Sequence, residues 1–388
     1  MATKATPPLL KRLNERTVLE AIRTDAPISR AEISRRAGIS KPTVSIALQS
    51  LLEAGLVREA RPDPARPSYG AVFFEPVPEA AFVLGVDVGA RFVRGALCDL
   101  RGATRARQDV ELRGPAAADV VETIGQLSES LLDAAGIEVE LVDSTVVGVP
   151  GVIDRSSGRV HITHFESLEG FGLADALRDR LRRPVTLEND INLAALGEQR
   201  QGIAHGVENF VFLSIGTGLG AGVVLHGELH RGRNGAAGEV DFAFAGLGED
   251  VDPCASAVSA LAERMAAGDG RTSTAPPYEA RAIFAAARAG DDVARAVVDE
   301  TARRIALHIG PIAAVTDVEL VVLGGGLGAN GDLLLGPVRE RLAAWLPYPP
   351  RVEVSSLGEA AVLTGALAVG LRSALENVFD RRSRLAAT

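Results

Sequence analysis

Three glycine-rich turns, each following an apolar run, carry the residues of this 388-residue sequence best suited to chemistry. They are Asp87-Val-Gly89-Ala-Arg91, Gly216-Thr217-Gly218-Leu-Gly220 and Gly324-Gly325-Gly326. Such turns let backbone N–H groups, and in the second the Thr217 hydroxyl, approach phosphate oxygens. Between the first and second, the run Val185-Thr-Leu-Glu188 delivers Asn189 and Asp190 at its carboxyl end. One such loop alone says little about nucleotide binding; three in order, with an acid at a strand end between them, say much more.

The elements that must position these loops alternate between strand and helix. Apolar runs over 82–89, 93–100, 144–149, 185–190, 210–215 and 320–323 read as strands, and 119–135 and 191–201 as helices. From Ala81 onward this is an α/β signature. With 47% hydrophobic residues the core needs no disulfide or metal staple. The two cysteines, Cys98 and Cys254, lie far apart, which suits a reducing cytoplasm and no disulfide framework. Met1 to Pro8 lacks the pattern of a secretory signal, and runs such as 210–215 fall short of the roughly 18–20 residues that span a bilayer, so no membrane partner is expected.

The first 80 residues follow another pattern. After a disordered lead through Pro8, the spacing of Leu10, Leu13, Val18, Leu19 and Ile22 predicts a helix over 9–23. Ser29-Arg-Ala-Glu32 is a capping box that opens a second helix to about Ala37, with Ala31, Ile33 and Ala37 inward. Gly38 permits a tight turn, Ser40 caps a third helix with Pro42 in its first turn, and Val44, Leu48, Leu51 and Leu52 form its buried face. Helix, glycine turn, helix is the helix-turn-helix pattern. Ser40, Lys41, Thr43, Ser45 and Gln49 then face the major groove of duplex DNA. A plain helical hairpin with solvated polar residues is the other reading. Two short strands around a proline-rich loop follow, a wing whose Arg61 and Arg66 suit a narrow minor groove. A basic linker is the alternative. Residues 75–80 read as a linker into the body.

Charge is divided the same way. The chain carries −9, yet residues 1–80 hold twelve Lys/Arg against nine Asp/Glu, a net +3, which leaves −12 on the rest. A basic head on an acidic body meets phosphate at one end and repels DNA elsewhere.

The stretches Gly85-Val-Asp-Val-Gly89, Gly148-Val-Pro-Gly151, Glu188-Asn-Asp190, Ile215-Gly-Thr-Gly-Leu-Gly-Ala-Gly222, Arg231-Gly-Arg-Asn-Gly-Ala-Ala-Gly-Glu239 and Leu323-Gly-Gly-Gly326 resemble the ROK family, the repressors, open reading frames and sugar kinases of the actin-like ATPase fold. The resemblance runs from about Phe82 to Leu371, and the winged head fits the family's repressor branch. It implies a winged helix-turn-helix and linker over 1–80 and a two-lobed sugar-kinase-like, ribonuclease H-like body over 81–388. Lobe 1 would take about 81–200 plus the C-terminal helix, and lobe 2 about 201–355. By the same resemblance Asp190 stands at the place of a general base, or serves as an interlobe hydrogen-bond anchor. Asn189 and Glu239 take sugar-contacting places, Asp87, Gly89 and Arg91 belong to the first phosphate loop, and residues 216–220 and 324–326 match the phosphate and adenosine loops.

The chain departs from the family at several of these places. The first loop is typically Asp-x-Gly-Gly-Thr, and Arg91 replaces its hydroxyl. Gly-Glu-x-Gly-His appears as Gly238-Glu-Val-Asp241-Phe242, so Asp241 or, by strict count, Phe242 replaces a sugar-binding, zinc-ligating histidine. The cysteine-rich zinc loop is reduced to Cys254, and one thiolate with no nearby histidine cannot complete a tetrahedral site. Ser256 aligns with a sugar-contacting Glu and Ser167 with a sugar-facing Asn. His161 and His164 fall on a loop, solvated or ligand-facing. The expectation is a cytoplasmic DNA-binding regulator, a homodimer or homotetramer, whose body senses a sugar or sugar phosphate. It would hold no structural zinc, bind ATP weakly if at all and not phosphorylate its ligand. The competing classes are an active ATP-dependent sugar kinase with an appended head, and a regulator whose body only oligomerises.

Overall fold

The computed structural model describes residues 7–60, 71–154, 156–163, 165–246, 250–267 and 272–385. In the head, helix α1 (Pro7–Asp25) leads into a two-residue strand β1 (Ile28–Ser29), then α2 (Arg30–Ala37) and α3 (Lys41–Glu53). The capping box forms: Ser29 N–H donates to Glu32 Oε2 at 3.0 Å, and Glu32 N–H to Ser29 Oγ at 3.4 Å. Gly38, at φ +65°, makes the left-handed turn that ends α2, a conformation glycine adopts without steric cost. Ser40 Oγ then caps α3 by accepting from Thr43 N–H. Val18, Ile22, Ile33, Val44, Ala47, Leu48 and Leu51 close the head's core.

Several head expectations need correction. The first helix starts at Pro7, because a proline in the first turn gives up only an N–H that no turn would bond. Leu10 and Leu13 lie on the exposed side of α1, and Ala31 and Leu52 are also exposed. Strands β2 (Val57–Glu59) and β3 (Phe73–Pro76) pair antiparallel as a wing, and β3 also pairs with the unforeseen β1. The wing loop, with Arg61 and Arg66, lies outside the described residues. Residues 75–80 are no free linker. The 3₁₀ turn Pro78–Ala80 buries Pro78 and Ala80, and Leu100 N–H donates to Pro78 O at 3.1 Å. Ion pairs reinforce the junction: Arg58 and Arg101 to Glu75, and Arg105 to Glu79 and to the buried Asp99.

The body contains two sheets built on one plan. The first uses β4 (Phe82–Val88), β5 (Phe92–Asp99), β6 (Thr104–Glu111), helix α4 (Ala117–Ala135), β7 (Val142–Val149), the short β8 (Val152–Ile153) and β9 (Val160–His161), α5 (Leu173–Leu181), β10 (Val185–Asn189) and α6 (Asp190–Gln201). Its five strands lie in the order β10-β7-β4-β5-β6, with β10, β7 and β4 parallel and β5 and β6 antiparallel. Strands β4 and β7 are buried throughout; β4 is apolar but for Asp87, whereas β7 also buries the polar run Asp143-Ser-Thr145. The polar edge strand β6 has no apolar alternation and escapes a reading by periodicity.

The second uses β11 (Phe210–Ile215), β12 (Leu219–Leu225), β13 (Glu228–Leu229), α7 (Ala255–Ala266), α8 (Ala280–Ala289), α9 (Asp292–Thr316), β14 (Leu320–Gly324), the single turn α10 (Gly325–Gly328), α11 (Gly331–Trp345), β15 (Arg351–Val354) and α12 (Ala361–Leu385). Its order, β13-β12-β11-β14-β15, repeats the first.

The chain passes between the sheets twice, after α6 and before α12, and these two helices cross in backbone contact. A Cβ at Gly365 would fall on the Leu193 carbonyl oxygen, and one at Gly197 on that of Ala361. Beside the crossing, the fully buried Glu198 carboxylate accepts from Ile203 N–H at 2.8 Å, Leu357 N–H at 3.2 Å, Ser356 Oγ at 3.2 Å and Ser355 Oγ. It thus ties both passages together. Farther along α12, Leu371, Ala374 and Val378 join the head's core, and Arg16 pairs with Glu376 at 2.9 Å. Residues Gly358–Val378 have the length and composition of a membrane span. In the fold that apolar surface packs on β4, β7, α6 and the head.

Glu198→Ala strips both chain passages of their shared acceptor. Burying two backbone N–H groups unpaired costs about 1–3 kcal/mol each. Urea unfolding should show a loss of at least about 2 kcal/mol, whereas Glu188→Ala, at a less buried carboxylate, should lose less. Equal stability of wild type and Glu198→Ala would show that water replaces the carboxylate.

Candidate functional site

The cleft between the sheets gathers residues from four elements. The turn between β4 and β5 brings Asp87 and Gly89, the start of α6 brings Asp190, the turn between β11 and β12 brings residues 216–218, and the end of β14 brings residues 324–326. The last two turns face each other: a Cβ on Gly216 would lie 3.8 Å from the Gly326 amide nitrogen. Gly216 O also accepts from Ala255 N–H at 2.9 Å, which docks the turn on the start of α7. Thr217 is exposed at the tip. Gly220 packs on α6, since a Cβ there would meet Ile191 at 2.5 Å.

Carboxylates dominate the cleft electrostatically. Burial, and next the charge of Asp190, push the Asp87 carboxyl up to about 7. Burial and the same Asp190, followed by Asp241, push Glu239 upward. Asp190 is therefore close enough to act on both Asp87 and Glu239, and its Oδ1 accepts from Ile191 N–H at 2.9 Å. A carboxylate accepts hydrogen bonds and a protonated carboxyl can also donate one, so this group suits a ligand bearing hydroxyls.

Asn189 is engaged within the protein. Its Oδ1 caps α6 by accepting from Asn192 N–H at 2.9 Å, and its Nδ2 donates to Gly151 O at 2.9 Å. The side chain fixes the Gly148–Gly151 turn against the helix that presents Asp190. Arg91 does not fill the first loop as its bulk suggests; it is exposed and pairs with Glu111 at 3.1 Å. Ser167 donates to Pro115 O on the first lobe. Ser256 is exposed in the first turn of α7, next to the Gly216 turn. Asp241 reaches Glu239 and His308 electrostatically, while Phe242 is turned to solvent. His161 pairs with Glu169 at 2.9 Å, and His164 lies outside the described residues.

Cys254 is buried just before α7, where its N–H donates to Asp252 Oδ1 at 2.7 Å and burial pushes its thiol far above the usual range. Among the described residues no group of three or more His, Cys, Asp or Glu is disposed to hold a metal ion.

Two site features escaped the sequence reading. Arg94 enters the cleft, with its guanidinium 3.5 Å from Asp87 and 3.1 Å from Glu359. It is the cross-strand partner of Asp87 in the β4–β5 pairing, so folding the hairpin on paper would have found it. Arg231, within the quoted Arg-Gly-Arg-Asn run, pairs across the cleft with Glu188 at 2.7 Å.

In the head, Lys41 and Gln49 are exposed on α3, with Thr43 and Ser45 at its flanks. Ser40 and Thr43 hydroxyls bond each other at 2.8 Å, Ser45 Oγ donates to Lys41 O at 3.0 Å, and Gln49 Nε2 to Glu53 Oε1 at 2.8 Å.

A winged helix joined to a two-lobed kinase-like body defines a class of regulator, and comparison with known proteins agrees. The ROK family model matches residues 83–372, and a MarR family model matches 10–66. The chain belongs to the ROK family, and its head places it with DNA-binding transcriptional regulators. A putative xylose repressor from Caldicellulosiruptor sp. is 25% identical over 93% of this chain and 96% of that protein. A glucokinase from Streptomyces coelicolor is 29% identical over 73% of this chain and 95% of the glucokinase. A crystal structure of a ROK family transcriptional regulator, a homologue of the E. coli Mlc protein, superimposes with a TM-score of 0.79 at 22% identity, covering 96% of this chain and 99% of the other. A Streptomyces griseus ROK glucokinase in complex with glucose and AMPPNP gives 0.62 at 27% identity, covering 75% and 100%.

The raised Asp87 carboxyl makes stability depend on pH. Near neutrality the folded chain holds a proton that the unfolded chain has released, so this group's contribution is fully favourable below about pH 4 and declines as pH rises to about 7. Asp87→Asn should gain stability relative to wild type across that window, on the order of a few kcal/mol by pH 8. Thermal melts of both proteins from pH 4 to 8 measure this; a difference that stays constant with pH would show that Asp87 is ionised throughout.

Proposed function

We propose that the chain is a sugar-responsive repressor that binds operator DNA as a homodimer, senses a sugar or sugar phosphate in the interlobe cleft and does not phosphorylate it. Helix α12 carries this reading. Its first turns press Gly365 against α6, whose own first turn presents Asp190, and its later turns enter the head's core. A ligand that draws the lobes together acts on the helix that supports the head, and so shifts the population of dimers able to span two half-sites. Asp190 and Glu239 accept from sugar hydroxyls, and the backbone of the Gly216 and Gly324 turns suits a phosphate. The relatives named xylose repressors support a pentose as the ligand, and those named glucokinases a hexose. The cytoplasm is the compartment that such a role requires.

The absence of turnover follows from positioning, since phosphoryl transfer needs both substrates held in line with charge stabilised. The first loop lacks its hydroxyl, the Arg94 guanidinium stands 3.5 Å from Asp87, and Ser167 is bound to the Pro115 backbone. Asp190, together with the glucokinase relatives, favours the kinase alternative.

Calorimetry with xylose, glucose and their phosphates, paired with operator shifts, tests the proposal. At least one of these ligands should bind, change operator affinity, and bind more weakly to Asp190→Asn. A coupled assay with ATP should show turnover well below about 1 per second, the low end of ordinary enzymes. Faster turnover abolished by Asp190→Asn would establish the kinase instead. Elemental analysis should find less than one zinc per chain, because among the described residues no metal-holding group of His, Cys, Asp or Glu forms around Cys254.

A further inference from the structure

The buried residues of α3 are Val44, Ala47, Leu48 and Leu51, which places Pro42, Ile46, Gln49 and Glu53 along the helix's outer seam. Ile46 sits in the middle of that seam with 62% of its surface exposed. Exposed apolar side chains are common on proteins. This one stands where a helix-turn-helix protein meets base edges. Its polar neighbours are occupied: Gln49 by Glu53, Ser45 by the Lys41 carbonyl, and Thr43 by Ser40. Ile46 can make contact without first breaking an internal hydrogen bond.

We infer that Ile46 is a specificity-determining residue that packs on the C5-methyl group of a thymine in each operator half-site. The chemistry leaves one partner. In the major groove thymine alone presents a methyl group, where cytosine carries only a hydrogen at C5 and the purines mainly hydrogen-bonding groups. Isoleucine is stiff at χ1 in a helix, so holding its terminal carbons against that methyl costs little entropy. Lys41, one turn earlier, supplies a phosphate or guanine contact that sets the helix's register but does not sense the methyl. The inference rests on the head's binding of DNA and adds to it which base is read and by which atom.

The test begins with a duplex selected from a random library by the full-length chain. Each thymine is then replaced singly by deoxyuridine, which removes the methyl group alone, and affinity is measured at fixed salt. One replacement per half-site should lower wild-type affinity by roughly three- to tenfold, the scale of burying one or two methyl-sized groups. Ile46→Ala should lose a similar factor on the thymine duplex and no longer distinguish it from the deoxyuridine duplex. Lys41→Ala should bind more weakly yet keep the discrimination. Because Ile46 is outside the core, Ile46→Ala should melt with the wild type; if it does not, the wild-type response to deoxyuridine decides alone. Indifference of the wild type to every replacement, or undiminished discrimination by a well-folded Ile46→Ala, overturns the inference. Failure of the selection to enrich any duplex overturns the DNA-binding reading, and Ile46's role with it.

Discussion

Glu198 holds a carboxylate where almost no water reaches, at the one place where the chain twice crosses from sheet to sheet. A buried charge is tolerable only when donors converge on it. Here they come from both crossings: Ile203 on the way out, and Ser355, Ser356 and Leu357 on the way back. The local distances between the end of α6 and the approach to α12 are thereby set, and the Gly197 and Gly365 contacts set how closely the helices meet. The cleft inherits that geometry, since Asp190 begins the helix that Glu198 helps to end.

The head is joined to this frame over a broad surface. Its core is continuous with Val83 and Cys98 of the first sheet and with Leu371, Ala374 and Val378 of α12. The turn through Pro78 is bonded to Leu100, and Arg101 and Arg105 of the β5–β6 hairpin pair with Glu75 and Glu79 of the wing strand and turn. Surface ion pairs contribute little singly; the apolar contact does most of the holding. The helix-turn-helix is therefore joined to the body by packed surface.

Much of this was legible in the residues. Capping signals act over three or four positions, so Ser29–Glu32, Gly38 and Ser40 could be read directly. Buried parallel strands announce themselves as apolar runs. What was hidden depended on partners distant in sequence. Residues 75–80 look like a linker because their hydrogen bonds go to Leu100 and their charges to arginines elsewhere. Strand β6 is an edge with little to bury. Arg94 and Arg231 gain meaning only when strand register and lobe closure are known. Asn189 takes a sugar-contacting place by resemblance, whereas its amide serves the turn at Gly151 and the cap of α6. Glu198, surrounded by alanine, leucine and polar residues, gives no local sign of its burial.

The crossing of α6 and α12 has one more consequence. Leu193 meets Gly365, and Gly197 meets Ala361; each pair is separated by four residues along its helix, and the two contacts exchange roles. That reciprocity is the mark of an isologous interface, in which one patch is complementary to itself. Here both copies of the patch belong to one polypeptide, each following the last strand of an identically ordered sheet. The body thus has the internal architecture of a pseudo-two-fold dimer of half-length units. A side chain at either glycine would push the helices apart and so open the other contact as well.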